Sequence, residues 1–172
     1  KIDVLYNTVE SDIILDLSKK KMDIRFDKSK INLCGIGTLK KSKGFDRLIR
    51  IHKRLKDDGY PIHTYLLGEG PEEKTIRKMI DEYRLNDSIT LLGYQINPYK
   101  YIKNSDIFVC CSYAEGFSTA ATEALIVGTA VCTVDVSGMK EMLGENNEYG
   151  IVTDNDDEQQ IPKQILIRLL FK

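Results

Sequence analysis

The 172-residue sequence has no tryptophan, two histidines, four prolines and almost no excess of either charge. Its 25 basic and 26 acidic residues give a formal net charge of −1. A nucleic-acid-binding domain usually carries a strong basic excess, so nucleic acid is not an expected partner. No apolar run approaches the roughly 20 residues of a membrane-spanning helix. The length is typical of one domain with a sizeable core.

Cysteine is also scarce, and the sequence contains no Cys-x-x-Cys pair. Cys110 and Cys111 are adjacent in an apolar, strand-like run, so they would face opposite sides of one strand. Cys34 and Cys132 lie in similar runs. This pattern predicts buried free thiols in a reducing cytoplasm rather than disulfides or metal ligands.

Strand and helix patterns alternate from residue 31 onward. Helical patterns separate six apolar runs, which begin near residues 31, 61, 88, 106, 129 and 149. Such alternation predicts a parallel sheet with helices on both faces and right-handed crossovers. The expected fold class is therefore α/β, a doubly wound, Rossmann-like parallel sheet.

The two ends of the chain differ from this pattern. Residues 1–30 are expected to be a connection, with a short edge strand at 1–7 and a weak helix at 11–17. Residues 31–172 form the predicted domain. Its last helix is expected over 156–172, and it would normally run on beyond the chain.

Three loops lie where the strands of the predicted sheet end, which is where open parallel sheets bind ligands. The first loop, 35–44, offers glycines for close backbone approach and lysines that could neutralise phosphate. The second, 68–71, reads Gly-Glu-Gly-Pro and is more typical of a turn than of a ligand site. The third loop contains Glu115 and leads into a helix.

This third loop carries two acids, Glu115 and Glu123, around a glycine turn and a helix start. Backbone N–H groups at such a start suit phosphate, whereas the acids suit sugar hydroxyls. A capping box is disfavoured because Glu123 comes four residues after Thr119 and five after Ser118. Glycosidase chemistry needs carboxyl separations of roughly 5–9.5 Å, and two helical acids would lie about 12 Å apart. It remains a weaker alternative because a turn at Glu115 would shorten the gap.

Other motifs are less convincing. The dinucleotide fingerprint has Lys40 in place of its third glycine, and residues 66–68 offer no acid for a ribose. The acidic string at 154–156 lacks the glycine and the distant acid of a calcium loop, so no metal site is expected. His52 and His63 are expected to be packing residues without a catalytic triad.

Taken together, the loops resemble those of a known family. Glu115, Gly116 and Phe117 followed by Glu123 are similar to the Glu-x7-Glu hallmark of group 1, glycogen-synthase-like, retaining GT-B glycosyltransferases. The segments at 37–49, 66–71 and 91–94 resemble other motifs of its C-terminal donor-binding domain, in the same order. The similarity covers roughly residues 31–153.

The resemblance implies a role for each loop. Glu123 would bind the ribose hydroxyls, Glu115 would lie by the donor sugar, and Lys43 would stabilise the departing diphosphate. The catalytic residues would be Glu115 and Lys43. The full set of implied donor-binding residues is Gly37, Thr38, Lys43, Gly93, Tyr94, Glu115, Gly116, Phe117, Ser118, Thr119 and Glu123.

The resemblance also implies an activity. The full-length protein would transfer a sugar from a nucleotide sugar, a UDP- or GDP-sugar, to an acceptor with retention, in cell-surface polysaccharide or glycolipid synthesis. It would need no cofactor and no metal. The acceptor domain would lie N-terminal in the same chain, with residues 1–30 as the interdomain connection, so the 172 residues alone would be inactive. The apolar and basic run at 161–172 suits peripheral contact with the inner face of the cell membrane.

One departure from the family pattern leaves an alternative open. The family usually has an arginine where this sequence has Thr38, and Lys40 or Lys41 is a candidate substitute. Without that cation, the chain could instead be a non-catalytic nucleotide-sugar-binding module.

Overall fold

The computed structural model describes residues 10–136, 138–144, 146–154 and 160–170. The strands are β1 (Ile31–Ile36), β2 (Ile62–Leu67), β3 (Ile89–Gly93), β4 (Ile107–Cys110), β5 (Ala130–Val134) and β6 (Ile151–Thr153). The helices are α1 (Ser11–Ser18), α2 (Phe45–Asp57), α3 (Glu73–Glu82), α4 (Tyr99–Asn104), α5 (Thr119–Ile126), α6 (Met139–Leu143) and α7 (Gln160–Leu170).

The six strands form one parallel sheet in the order β3-β2-β1-β4-β5-β6. Each begins within two residues of its predicted start. The strand order reverses at β1 and β4, the neighbours at the centre of the sheet, because the chain adds β2 and β3 on one side and β5 and β6 on the other. This reversal leaves a crevice beyond the carboxyl ends of β1 and β4. The predicted doubly wound, Rossmann-like α/β fold is confirmed.

Both faces of the sheet are covered. Helix α2 contacts α3 and α7, whereas α4 contacts α1 and α5. Because right-handed crossovers run outward from the centre in opposite directions, the two helix groups lie on opposite faces. The central strands β1 and β4 are therefore buried on both sides and largely apolar, with Asn32 as a buried polar residue of β1. All four cysteines are free and buried, as predicted.

The segment before β1 is attached to this domain. Helix α1 forms as predicted, and its Ile14 is 4% exposed. Phe26 stacks on Tyr65 of β2 with ring centroids 3.7 Å apart. The edge strand expected at 1–7 and residues 156–159 and 171–172 of the expected last helix lie outside the described residues.

Two short elements were not predicted from the sequence. A single 3-10 turn, Lys41–Lys43, precedes α2, and α6 follows β5. Both are too short to show a helical repeat of apolar residues. No helix in the described part of the chain combines the length and hydropathy that a bilayer span requires.

Candidate functional site

A cleft of about 250 Å³ opens beyond the carboxyl ends of β1 and β4. Its walls are the loop after β1, the turn before α2, the loop after β4 and the first turns of α5. Of the residues predicted for the site, those that line this cleft are Gly37, Thr38, Lys43, Glu115, Ser118, Thr119 and Glu123.

An ion pair joins the two residues predicted to be catalytic. Nζ of Lys43 donates to Oε1 and Oε2 of Glu115 at 2.7 and 2.8 Å. The Glu115 side chain is only 9% exposed and that of Lys43 is 24% exposed. The sequence patterns assigned these residues separate tasks, whereas the structure makes them direct partners.

Ser112 is a third member of this group and was missed as a site residue. Its hydroxyl donates to Oε2 of Glu115 at 2.8 Å. The sequence analysis gave it no part in the site. Its position three residues before Glu115 on one loop was the available signal.

Glu123 lies on the second turn of α5, and its half-buried carboxylate lines the cleft. Burial raises the pKa of Glu123, and a hydrogen bond from Tyr99 partly offsets that rise. Burial, together with the same contact, raises the pKa of Tyr99. Tyr99 is therefore a second residue that the sequence analysis did not assign to the site.

The start of α5 is capped by Ser118. Its Oγ accepts a hydrogen bond from the Ala121 N–H at 3.3 Å, so the cap does not involve Glu123, as the spacing predicted. The two predicted residues before it do not line the cleft: Gly116 is exposed, and the Phe117 ring lies beside Gly138.

A second cavity of about 360 Å³ adjoins the cleft and shares Gly37 and Thr38 with it. The loop between β3 and α4, which includes Tyr94, and Tyr99 at the start of α4 supply its far wall. Tyr94 is 69% exposed. Gly93, predicted to bind the donor, does not line the cavity, but its carbonyl accepts a hydrogen bond from the Gly68 N–H at 2.8 Å.

The glycines of these loops allow backbone segments to touch. Gly44 has a φ of 65°, and a Cβ there would lie 1.9 Å from the carbonyl oxygen of Cys111. A Cβ on Gly68, at a φ of 132°, would lie 2.0 Å from the carbonyl oxygen of Gly37. The sequence analysis expected close backbone approach to a ligand at 35–44 and a turn at 68–71. The structure shows that these two glycines hold the loops against each other.

Sequence comparison decides the family. A profile described as "Glycosyl transferases group 1" matches residues 18–170. The chain belongs to this family. It is 33% identical over 162 residues to N-acetylgalactosamine-N,N'-diacetylbacillosaminyl-diphospho-undecaprenol 4-alpha-N-acetylgalactosaminyltransferase of Campylobacter jejuni, covering 94% of this chain and 42% of that protein. It is 27% identical to the putative colanic acid biosynthesis glycosyltransferase WcaL of Escherichia coli, over 73% of this chain and 33% of WcaL. The chain therefore spans less than half the length of these relatives.

Solved structures share the fold of this group 1 glycosyltransferase chain. TarM of S. aureus with UDP bound has a TM-score of 0.77 at 22% identity, over 87% of this chain and 30% of TarM. HepE of Anabaena in complex with UDP has a TM-score of 0.74 at 18% identity, over 82% of this chain and 39% of HepE. At these identities the likeness concerns the fold alone.

Thr38 stands where the family usually has an arginine, and the neighbouring basic residues Lys40, Lys41 and Arg47 do not line the cleft. Thr38 lines the cleft at the end of β1. Lys41 forms an ion pair with Asp46 at 3.1 Å, and Lys40 lies beside it at a separate small cavity. Arg47 is buried and lies 4.3 Å from the Tyr113 ring centroid. Among the described residues, Lys43 is thus the only basic residue that lines the cleft.

Proposed function

We propose that this chain is the C-terminal, donor-binding domain of a retaining glycosyltransferase. The enzyme takes a sugar from a UDP- or GDP-sugar and transfers it to an acceptor in polysaccharide or glycolipid synthesis. One observation carries this proposal: a single cleft brings Lys43, Glu115, Glu123 and the capped start of α5 together. The names of the C. jejuni and E. coli relatives support the class of product. The UDP complexes of TarM and HepE support a nucleotide donor.

The two cavities divide the donor between them. The base enters the second cavity beside Tyr94, and the diphosphate lies in the cleft by Lys43 and the α5 N-terminus. The ribose spans the boundary, where Glu123 and Tyr99 meet. A carboxylate suits this place because it accepts hydrogen bonds from hydroxyl groups. The sugar then lies toward Glu115.

Departure of the diphosphate is the step that these residues would assist. As the sugar–oxygen bond breaks, negative charge grows on the leaving phosphate oxygen. The Lys43 ammonium and the backbone N–H groups at the α5 N-terminus stabilise that charge. Retention is checked by NMR, which compares the anomeric configuration of the product with that of the donor.

Calorimetry with UDP, GDP and ADP tests donor binding by the 172-residue chain. We expect at least one of them to bind with a dissociation constant of about 1 mM or below, and we call the tightest-binding of the three the probe nucleotide. Binding of none at millimolar ligand would overturn the proposal. The acceptor domain is expected outside these residues, so transfer activity is expected only from the product of the complete reading frame.

Thr38 supports a second candidate, a nucleotide-sugar-binding module without transfer activity. It lines the cleft where the family pattern has a cation, and Lys40 and Lys41 lie elsewhere. A transfer assay on the complete protein with mixed nucleotide-sugar donors separates the two functions. Sugar transfer supports the enzyme. Donor binding with neither sugar transfer nor hydrolysis of the donor supports the module.

A further inference from the structure

The carboxylate of Glu115 accepts hydrogen bonds from two donors of different kinds. Lys43 donates to both oxygens, at 2.7 and 2.8 Å, and Ser112 donates to Oε2 at 2.8 Å. Because the side chain of Glu115 is only 9% exposed, water cannot readily replace a lost partner. An ionised carboxylate in such a place needs donors to remain stable.

The two donors differ in their freedom to move. Ser112 is 1% exposed and lies two residues beyond the end of β4. Its Oγ is 3.6 Å from Sγ of Cys110, and the next backbone N–H, of Tyr113, donates to the Ser42 carbonyl at 2.8 Å. The serine hydroxyl is therefore held by the strand and by the neighbouring loop.

Lys43, in contrast, has a long side chain with an accessible end. Its stem lies over Gly37, with methylene carbons 3.6 Å from the position that a Cβ would take there. Its side chain is 24% exposed, and the ammonium is carried on a four-carbon stem with rotatable bonds. It can reorient while the backbone of the turn stays in place.

The ion pair conflicts with diphosphate binding. Paired with Glu115, the ammonium has its charge neutralised, and the carboxylate beside it repels an incoming diphosphate. To offer an uncompensated positive charge, Lys43 must move away from Glu115. That movement leaves the nearly buried carboxylate of Glu115 with one of the two donors described above, the Ser112 hydroxyl.

We propose that Ser112 is a positioning residue that allows Lys43 to exchange Glu115 for the donor diphosphate. The Ser112 hydroxyl keeps the freed carboxylate hydrogen-bonded and directed toward the sugar. No bond is made or broken in this exchange. The inference rests on the proposed donor-binding function, and it adds a role for a serine to which the resemblance assigned none.

A double-mutant cycle tests the exchange, with the probe nucleotide and inorganic pyrophosphate as ligands. The variants are Ser112→Ala, Glu115→Gln and the two combined, each titrated by calorimetry. Glu115→Gln should tighten binding of both ligands by about threefold to tenfold, because it removes the competing charge. Ser112→Ala should weaken binding by about fivefold in the wild-type background and by less than about twofold in the Glu115→Gln background.

Ser88→Ala is the matched control. Ser88 is 3% exposed and bonded to His52, far from the cleft in the fold, so its loss should lower the melting temperature without changing affinity. A merely structural role of Ser112 would weaken binding equally in the wild-type and Glu115→Gln backgrounds, which would overturn the inference. Weaker binding by Glu115→Gln would overturn it as well.

Two further points keep the outcome decisive. If Ser112→Ala does not fold, Ser112→Cys replaces it, since a thiol has a similar size and is a weak donor. If neither folds, Ser112 is required for the fold itself, and the inference is overturned. Failure of the wild-type chain to bind UDP, GDP and ADP would contradict the proposed function. If the wild type binds and the effects of Ser112→Ala and Glu115→Gln on affinity are additive, only this inference is contradicted.

Discussion

The hydroxyl of Tyr99 lies 3.4 Å from Oε1 of Glu123 and donates a hydrogen bond to it. Tyr99 lines the cavity assigned to the base, and Glu123 lines the cleft assigned to the diphosphate. This contact therefore lies where the two cavities adjoin. It occupies Oε1 of the carboxylate that the proposed function assigns to the ribose hydroxyls.

Truncation of Glu123 should affect nucleotides but not pyrophosphate. Glu123→Ala removes the ribose acceptor, so we expect the probe nucleotide to bind about tenfold more weakly by calorimetry, with pyrophosphate unchanged. Tyr99→Phe should weaken the nucleotide by about threefold, because the carboxylate loses one orienting bond. Tyr60→Phe is the control, since the exposed Tyr60 precedes β2, at the edge of the sheet opposite the cleft. Equal losses for nucleotide and pyrophosphate would contradict the ribose assignment.

Removal of the Lys43 charge should weaken the binding of diphosphates and leave that of nucleosides unchanged. Lys43→Met keeps the stem over Gly37 and deletes the ammonium, so diphosphates should bind at least about tenfold more weakly. The corresponding nucleoside should bind as it does to the wild type. Lys41→Met is the matched control, because Lys41 pairs with Asp46 outside the cleft. Comparable losses for nucleoside and diphosphate would show that Lys43 does not serve the phosphates.

The stability of the fold should depend on pH through His52. This side chain is fully buried between α2 and the sheet, with Nδ1 2.7 Å from Thr64 Oγ1 and Nε2 2.9 Å from Ser88 Oγ. Burial, together with the neighbouring charges of His63 and Lys56, lowers the pKa of His52 to about 3. In the unfolded chain the ring protonates near its ordinary pKa of 6.5. The folded state therefore holds a neutral ring over a range in which the unfolded state binds a proton.

The sign of the effect follows from this difference. As pH falls from about 6.5 toward 3, protonation stabilises the unfolded state, and His52 should reduce the free energy of unfolding by up to about 1.4 kcal/mol per pH unit. Denaturant unfolding at pH 7, 6, 5 and 4 measures the loss. In His52→Gln, which is expected to be less stable at pH 7, the slope should be shallower. Parallel curves for the two proteins would rule out His52 as the source.

The sequence predicts the sheet well and the contacts inside the site poorly, for a physical reason. Apolar runs and helical repeats are local signals, so each strand begins within two residues of its expected position. The Lys43–Glu115 pair joins residues 72 positions apart. Such a contact depends on how the loops after β1 and β4 meet, and no local pattern encodes that.

The glycine-rich loops show the same limit. The composition of 35–44 predicted close backbone approach to a ligand, which is a local property. The close contact of Gly44 with Cys111 depends instead on how the turn before α2 meets the loop after β4. Ser112 and Tyr99 were missed because a serine and a tyrosine are common in any loop or helix. Their roles appear only when their distances to Glu115 and Glu123 are known.

Gly44→Ala should destabilise the domain more than the same change at another glycine in the left-handed region. A Cβ at Gly44 would overlap the Cys111 carbonyl at 1.9 Å, in addition to the strain of a φ of 65°. Gly59, with a φ of 86° and nothing within 4 Å of a Cβ, has the strain without the overlap. We expect a loss of about 1 kcal/mol for Gly59→Ala and at least about 2–3 kcal/mol for Gly44→Ala, measured by denaturant unfolding.

The Gly44 variant should also lose ligand affinity, because relief of the overlap separates the Lys43 turn from the Glu115 loop. Calorimetry on folded protein should show weaker binding of the probe nucleotide and of pyrophosphate by Gly44→Ala, with Gly59→Ala equal to the wild type. If both alanine variants lose the same stability and keep full affinity for the two ligands, then the close contact of Gly44 with Cys111 does not hold the Lys43 turn against the Glu115 loop. The ion pair of Lys43 with Glu115 would then have to form without it.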